Sequence, residues 1–202
     1  SKNGVLGISI VRLGIDNILN TTQMIDSEGN IDYDKITKFS TSDYAGIISY
    51  AFHPGGKQKI SVGVNAKIVY RNVGKFANGF GFGFDLGAIY KTDSGYQLGA
   101  MLRDATTTVN FWTINQKELS AVVNGEEFNP APKDKMEITM PKLNMGISKN
   151  FELNRDLEFL PEAGVNVDFA KTAALISTDF ASITPYLGAE LSFQKMIFVR
   201  AG

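Results

Sequence analysis

Long, strict alternation of apolar residues with glycine, amide or charged ones is the feature that most narrows what this chain folds into. From Ile60, one set reads Ile60, Val62, Val64, Ala66, Ile68 and Tyr70, and the other Ser61, Gly63, Asn65, Lys67 and Arg71. Phe80, Phe82, Phe84, Leu86, Ala88 and Tyr90 then alternate with Gly79, Gly81, Gly83, Asp85, Gly87 and Lys91. The pattern returns in Leu157, Phe159, Pro161, Ala163, Val165, Val167 and Phe169 against Glu158, Glu162, Gly164, Asn166 and Asp168. It appears a fourth time over Ile183 to Phe193, opposite Tyr186, Gly188, Glu190 and Ser192. Successive side chains of a strand point to opposite faces, so each stretch predicts a two-faced strand.

Strand length separates a soluble sheet from a membrane wall. Soluble strands average about five or six residues, whereas a tilted strand crossing a bilayer needs roughly nine to eleven. The alternating stretches here run about ten to thirteen, which favours the wall. No window approaches the roughly eighteen consecutive apolar residues of a transmembrane helix. A closed barrel is the other structure that satisfies every backbone group in lipid. With 202 residues, of which 44% are hydrophobic, the chain is read as one domain spanning 1–202.

A coarse reading places strands at Val5 to Leu13, Asp43 to Phe52, Lys59 to Arg71, Gly79 to Lys91 and Tyr96 to Arg103. It continues with Lys142 to Asn150, Leu157 to Phe169, Ile183 to Phe193 and Met196 to Gly202. Short links of turn composition, such as Thr92-Asp93-Ser94-Gly95 and Asn154-Arg155-Asp156, imply antiparallel neighbours. Two longer insertions, 14–42 and 104–141, read as loops at one end of the wall, the second with a hairpin at Asn124-Gly125. Tyr44, Tyr50, Phe52, Tyr70, Phe76, Phe80, Tyr90, Tyr96, Phe169, Tyr186 and Phe193 fall toward strand ends, where aromatic girdles sit at headgroup level. The chain opens Ser1-Lys2-Asn3-Gly4 without a secretory leader, which reads as a processed or truncated product.

Charge and chemistry exclude several classes. The net charge of −1 offers no basic stripe for nucleic acid, and the absence of cysteine rules out disulfides and thiolate metal sites. His53, the single histidine, lies beside Pro54 and Gly55 in an apparent turn and so suits neither a triad nor a zinc site. Asp26, Glu28, Asn30, Asp32 and Asp34 have spacing reminiscent of a calcium loop. Gly29, however, stands fourth from Asp26 where an EF-hand needs glycine sixth, so a solvated acidic loop is the default. No enzyme chemistry, cofactor or metal is expected. Asn65, Lys67, Arg71, Asp85, Arg103, Glu162, Asp168 and Glu190 are expected to face the lumen and pair across it. Ile89 and Met101 are too few to argue an apolar lumen pocket.

Several segments together resemble one family. They are Asp43-Tyr44-Ala45 with Ser49-Tyr50-Ala51, then Gly74-Lys75-Phe76-Ala77-Asn78-Gly79 running into Gly83-Phe84-Asp85-Leu86-Gly87. Next come Gly99-Ala100-Met101-Leu102-Arg103-Asp104 with Thr106-Thr107-Thr108, and finally Pro185-Tyr186-Leu187-Gly188-Ala189-Glu190 with Phe198-Val199-Arg200-Ala201-Gly202. In this order they resemble the PorV/PorQ outer-membrane barrels of Bacteroidetes, themselves similar to FadL-type fatty-acid channels. The resemblance implies an all-β, antiparallel, FadL-like transmembrane barrel. Against a fourteen-strand wall of that type, this chain is expected to be a partial barrel lacking strands at one or both ends.

The resemblance further implies a non-enzymatic role in type IX secretion, at the bacterial outer membrane with loops at the cell surface. Its partners would be outer-membrane lipid, the translocon barrel, secreted cargo carrying C-terminal signal domains, and the surface attachment complex. By loop position, Ile25, Tyr33, Phe39, Phe111, Trp112 and Phe128 are the candidate partner-binding residues. Two alternatives stay open: a FadL-like channel for hydrophobic small molecules, and a soluble lipocalin-type barrel. The alternation permits the latter because sequence does not say which face is the lumen.

Overall fold

The computed structural model describes residues 4–26, 28–56, 59–119, 121–123, 126–128, 135–172 and 174–202. Its strands are β1 (Val5–Asn20), β2 (Thr37–Phe52), β3 (Ile60–Val73), β4 (Ala77–Lys91), β5 (Tyr96–Arg103), β6 (Thr108–Ile114), β7 (Ala121–Val123) and β8 (Glu126–Phe128). They continue as β9 (Met136–Thr139), β10 (Lys142–Lys149), β11 (Phe151–Glu152), β12 (Leu157–Asp168), β13 (Ile176–Ser177), β14 (Ser182–Phe193) and β15 (Ile197–Ala201). One helical turn, α1 (Gln116–Leu119), follows β6.

All strands but β7 and β8 join one antiparallel sheet. Both β5 and β6 pair with β4, β5 along Leu86 to Lys91 and β6 along Ala77 to Phe82, so they are two halves of one pass. Across from them β9 pairs with β6 and β10 with β5, again a single interrupted pass. The sheet is therefore a meander of passes β1, β2, β3, β4, β5 with β6, β9 to β11, β12, β14 and β15, in chain order. It does not close. Among the described residues, β1 pairs only with β2 and β15 only with β14.

Register assigns the faces. Arg12, Tyr44, Tyr70, Phe80, Phe111 and Met136 form one cross-strand rung. Two residues further along the same face comes the rung of Ile10, Gly46, Ile68, Phe82, Val109 and Ile138. The opposite face carries Asn65 beside Asp85, and Lys67 beside Gly83 and Thr108. Burial is inverted relative to a water-soluble domain. Asp85 is 5% exposed, whereas Phe84, the preceding residue, is 44% exposed. Phe76, at 5%, is the one buried large hydrophobic side chain among the described residues. The accessible surface of 14118 Å² is about half as large again as the roughly 9,300 Å² expected of a compact soluble monomer of this mass.

At one end the apolar face finishes in an aromatic rung, Tyr44, Tyr70, Phe80 and Phe111, and at the other in the rung of Tyr90, whose neighbours Ile60, Leu98 and Ile147 are aliphatic. Along β4 the band runs from Phe80 to Tyr90, about ten residues, or about 33 Å of strand and about 23 Å when tilted near 45°. Beyond Phe80 the next rung on that face is polar, with Ser42, Asn72, Asn78 and Thr113. Two members of the expected girdle are elsewhere. Phe76 is buried beneath the β3–β4 turn against Phe39, ring centroids 4.9 Å apart, and Tyr186 points to the polar face over Gly146 and Gly164.

Connections segregate by end. Segments 53–59, 92–95, 153–156 and 194–196 turn the chain at one end, while 21–36, 74–76, 115–135 and 169–181 do so at the other. The two insertions expected as loops are shorter than their predicted bounds. Residues 14–20 continue β1 through a bulge at Asn17 (φ 59), and 37–42 begin β2. Much of 104–141 is likewise strand, in β6 and β9, because β4 extends past β5 and needs a partner along Ala77 to Phe82. Asn124 and Gly125 lie outside the described residues; β7 and β8 on either side of them pair antiparallel.

Candidate functional site

All eight residues expected in the lumen fall on the polar face by register. At its centre Lys67 Nζ lies 2.7 Å from Asp85 Oδ1 and 2.5 Å from Asp104 Oδ1. Asn65 Nδ2 donates to Asp85 Oδ2 at 3.3 Å, the Asp104 backbone N–H donates to Asp85 Oδ1 at 2.9 Å, and the Thr108 hydroxyl donates to Asp104 at 2.5 Å. Asp104 (φ 52) and Thr107 (φ 62) form the corner that splits the β5–β6 pass. One ammonium thus ties the corner to two neighbouring strands, with all three side chains largely buried, where an unpaired charge is costly.

The glycines of β4 make room for this layer. A Cβ at Gly81 would meet the Val109 carbonyl oxygen at 2.7 Å as well as the Asn110 side chain, and one at Gly79 would meet the Trp112 ring at 3.1 Å. Trp112 lies against that strand, under Arg71, whose guanidinium carbon is 5.2 Å from the ring centroid. Arg71 also meets Asp43 at 3.2 Å and Glu137 at 3.1 Å, and the Trp112 indole N–H donates to Glu137 at 2.9 Å. Asp168 pairs with Lys142 at 2.8 Å and Glu190 with Arg200. Among the described residues Arg103 has no ion-pair partner.

Nearer the short-turn end, the same face holds an open trough of about 440 Å³. Its floor is the cross-strand glycine pair Gly99 and Gly146, with Gly63 and Gly87 alongside, and Tyr186 lies over Gly164 at its edge. Ile89 and Met101 both line it, together with Gln97, Asn144, Glu162 and Tyr186. The Tyr186 hydroxyl donates to Glu162 Oε1 at 3.1 Å. Reading apolar side chains along the chain missed this trough because its walls are close only where side chains are absent. The usable signal was glycine on the polar face of successive strands.

At the long-loop end the partner-binding candidates divide. Ile25 and Tyr33 are exposed in the 21–36 loop. Phe39, Phe111 and Trp112 are strand residues instead, in β2 and β6, and Trp112 is held under Arg71 on the polar face. Phe128 ends β8, and its side chain lies outside the described residues.

The acidic loop has internal work for its carboxylates. Asp26 accepts the backbone N–H groups of Glu28 at 2.9 Å and Asn30 at 2.8 Å and the Asn30 side-chain amide at 3.1 Å; the Asn30 contacts, above all, hold its carboxyl below the ordinary value. Asp32 accepts from the Asp34 N–H at 3.0 Å. Among the described residues no cluster of three or more acidic or histidine side chains is placed to hold a metal ion. His53 Nδ1 sits 3.0 Å from the Ile60 carbonyl oxygen and 3.2 Å from the Ser61 hydroxyl, at the foot of a turn.

These features define an all-β protein on an antiparallel sheet, with a shielded polar cluster on one face and an open apolar face on the other. Compared with models of protein families, with curated proteins and with solved structures, the chain matches none.

Proposed function

We propose that the chain forms wall of an outer-membrane β-barrel that has no enzymatic role and serves type IX secretion, binding secreted cargo and passing it from the translocon to the surface attachment machinery. The observation that carries the membrane part is the inverted burial: an exposed apolar band about 23 Å high, edged at one end by an aromatic rung, on the back of a shielded polar network. Three of the four connections at one end are longer than any at the other, the three-residue turn 74–76 being the exception, and this bias agrees with barrels of this class. The same burial weighs against a lipocalin-type barrel, whose apolar residues face inward. Support for the secretion role comes from the PorV/PorQ-like segments, with the exposed Ile25 and Tyr33 loop as its first candidate surface.

A second reading, a FadL-like channel for hydrophobic small molecules, draws on the glycine-floored trough. Mass spectrometry of what co-purifies in mild detergent with the tagged full-length protein, taken from its native envelope, separates the readings. Recovery with a very large barrel and several proteins sharing one C-terminal domain supports the shuttle. Recovery alone with bound small amphiphile favours the channel, and recovery in the soluble fraction overturns the membrane assignment.

A further inference from the structure

We propose that the trough on the polar face binds a small amphiphile carrying a positively charged amine, with Glu162 as the counter-charge. The inference rests on the trough that motivates the channel reading and is independent of cargo transport. A cavity of about 440 Å³ is within the usual size range for a small-molecule site, roughly 300 to 1,000 Å³. Its surface is mainly glycine, alanine, Ile89 and Met101, which suits an apolar body. Set into that surface are a few polar groups, Ser61, Gln97, Asn144, Ser148, Glu162 and Tyr186, which converge from β3, β5, β10, β12 and β14.

Sign follows from the charges. Glu162 is the single charged residue lining the trough, and its described partner is the neutral Tyr186 hydroxyl. Glu190, further along this face, is already paired with Arg200, and Glu158 with Lys195. Lys91 shares the rung of Gln97, Ser148 and Glu162, but it is exposed and three strands away, about 14 Å. Toward the long-loop end, Arg103 and Lys142 sit six residues along their strands from Gln97 and Ser148, about 20 Å away. All three lie beyond the Debye length of about 8 Å at physiological salt. An anionic head at Glu162 would meet a like charge with no adjacent compensation. An ammonium would meet a carboxylate already oriented by Tyr186 and would retain the Tyr186 hydroxyl as a second polar contact.

Gly99 supplies the means to block the site without disturbing the wall. Its backbone has no left-handed φ, and a Cβ there meets nothing within 4 Å. Leucine at this position projects from the floor into the trough.

Calorimetric titration of the full-length protein in a neutral maltoside detergent with hexylamine, hexanoate and hexanol tests the proposal, with empty micelles subtracted. Hexylamine is expected to bind saturably and at least tenfold more tightly than hexanoate. Glu162→Gln should weaken hexylamine about tenfold while leaving hexanol unchanged, and Gly99→Leu should remove saturable binding of both. Folding of each variant is checked by heat-dependent gel mobility. Equal binding of all three probes, abolished by Gly99→Leu, overturns the charge assignment while leaving an apolar channel intact. Saturable binding of none overturns both the proposal and the channel reading.

Discussion

Lys67 is the side chain on which most of the polar layer depends. It bridges Asp85 and Asp104 with all three side chains largely shielded, so its removal leaves two carboxylates facing each other without a cation. Breaking a buried pair in this way destabilises by about 3 to 5 kcal/mol. Lys67→Met is therefore expected to lose about 3 kcal/mol in reversible urea unfolding from detergent, whereas Asp104→Asn, which leaves one cation with one anion, loses about 1 kcal/mol. Equal losses would mean that Lys67 is held chiefly by Asp104 and that the Asp85 pair alone does not compensate its charge. On the other face the same logic reverses. Phe84 is 44% exposed within the apolar band. If that band meets lipid, Phe84→Arg should cost about 2 to 4 kcal/mol of folding stability in bilayers, and Gln97→Arg on the polar face less than about 0.5 kcal/mol. Tolerance of Phe84→Arg would place the apolar face against something other than lipid.

Hydrogen bonds local to the 21–36 loop, and not any packed core, give this element its shape. Asn20 anchors its base, accepting from the Thr22 N–H and hydroxyl and donating to Thr37, while Asp26 gathers the amides of Glu28 and Asn30. Because those donors favour the ionised carboxylate, the Asp26 pKa is lowered from its ordinary value. A depressed carboxylate stabilises its loop fully above the unfolded pKa, about 3.9, and loses that contribution as pH falls through the lower folded value. The protection of the Glu28 and Asn30 amides, measured against their intrinsic exchange rates, should accordingly persist at pH 5 and fall only below the ordinary carboxylate range, with Asp26→Ala removing it at every pH. Protection that vanishes already near pH 5 would contradict this account. The element scale also shows what sequence can and cannot tell. The passes were legible, and in the four strictly alternating stretches their facing too, because alternation is a local property, read from residues two apart. The loop bounds were not, because Asn17 and the polar run 37–42 lack apolar alternation although they lie in paired strands. The partners of Lys67 and Arg71 come from strands up to 66 residues distant, and the trough exists only where glycines of separate strands align, so both needed the register.

Taken as one object, the molecule is a sheet whose apolar side is open, whose polar side holds a shielded cluster around Lys67 and Asp85, and whose two ends differ. Those three asymmetries are independent in principle, since a soluble sandwich of two sheets also hides one face of each sheet yet need not sort its connections by length. In an outer-membrane barrel they are linked, because a strand threaded from inside leaves short turns behind and longer loops ahead. The chain itself makes the link testable. It contains no cysteine, so a single introduced thiol is an unambiguous reporter. Tyr33, exposed in the 21–36 loop, marks one end, and Asp93, exposed in the Thr92–Gly95 turn, marks the other. On intact cells, a membrane-impermeant maleimide is expected to label Tyr33→Cys readily and Asp93→Cys only after the envelope is opened. Val62→Cys, on the apolar face between the Phe80 and Tyr90 rungs, should resist the aqueous reagent in both conditions yet react with a lipid-soluble one. Labelling of Asp93→Cys in preference to Tyr33→Cys would invert the orientation, and labelling at all three sites by the aqueous reagent would mean that the apolar band faces water, leaving the inverted burial to be satisfied by another protein chain.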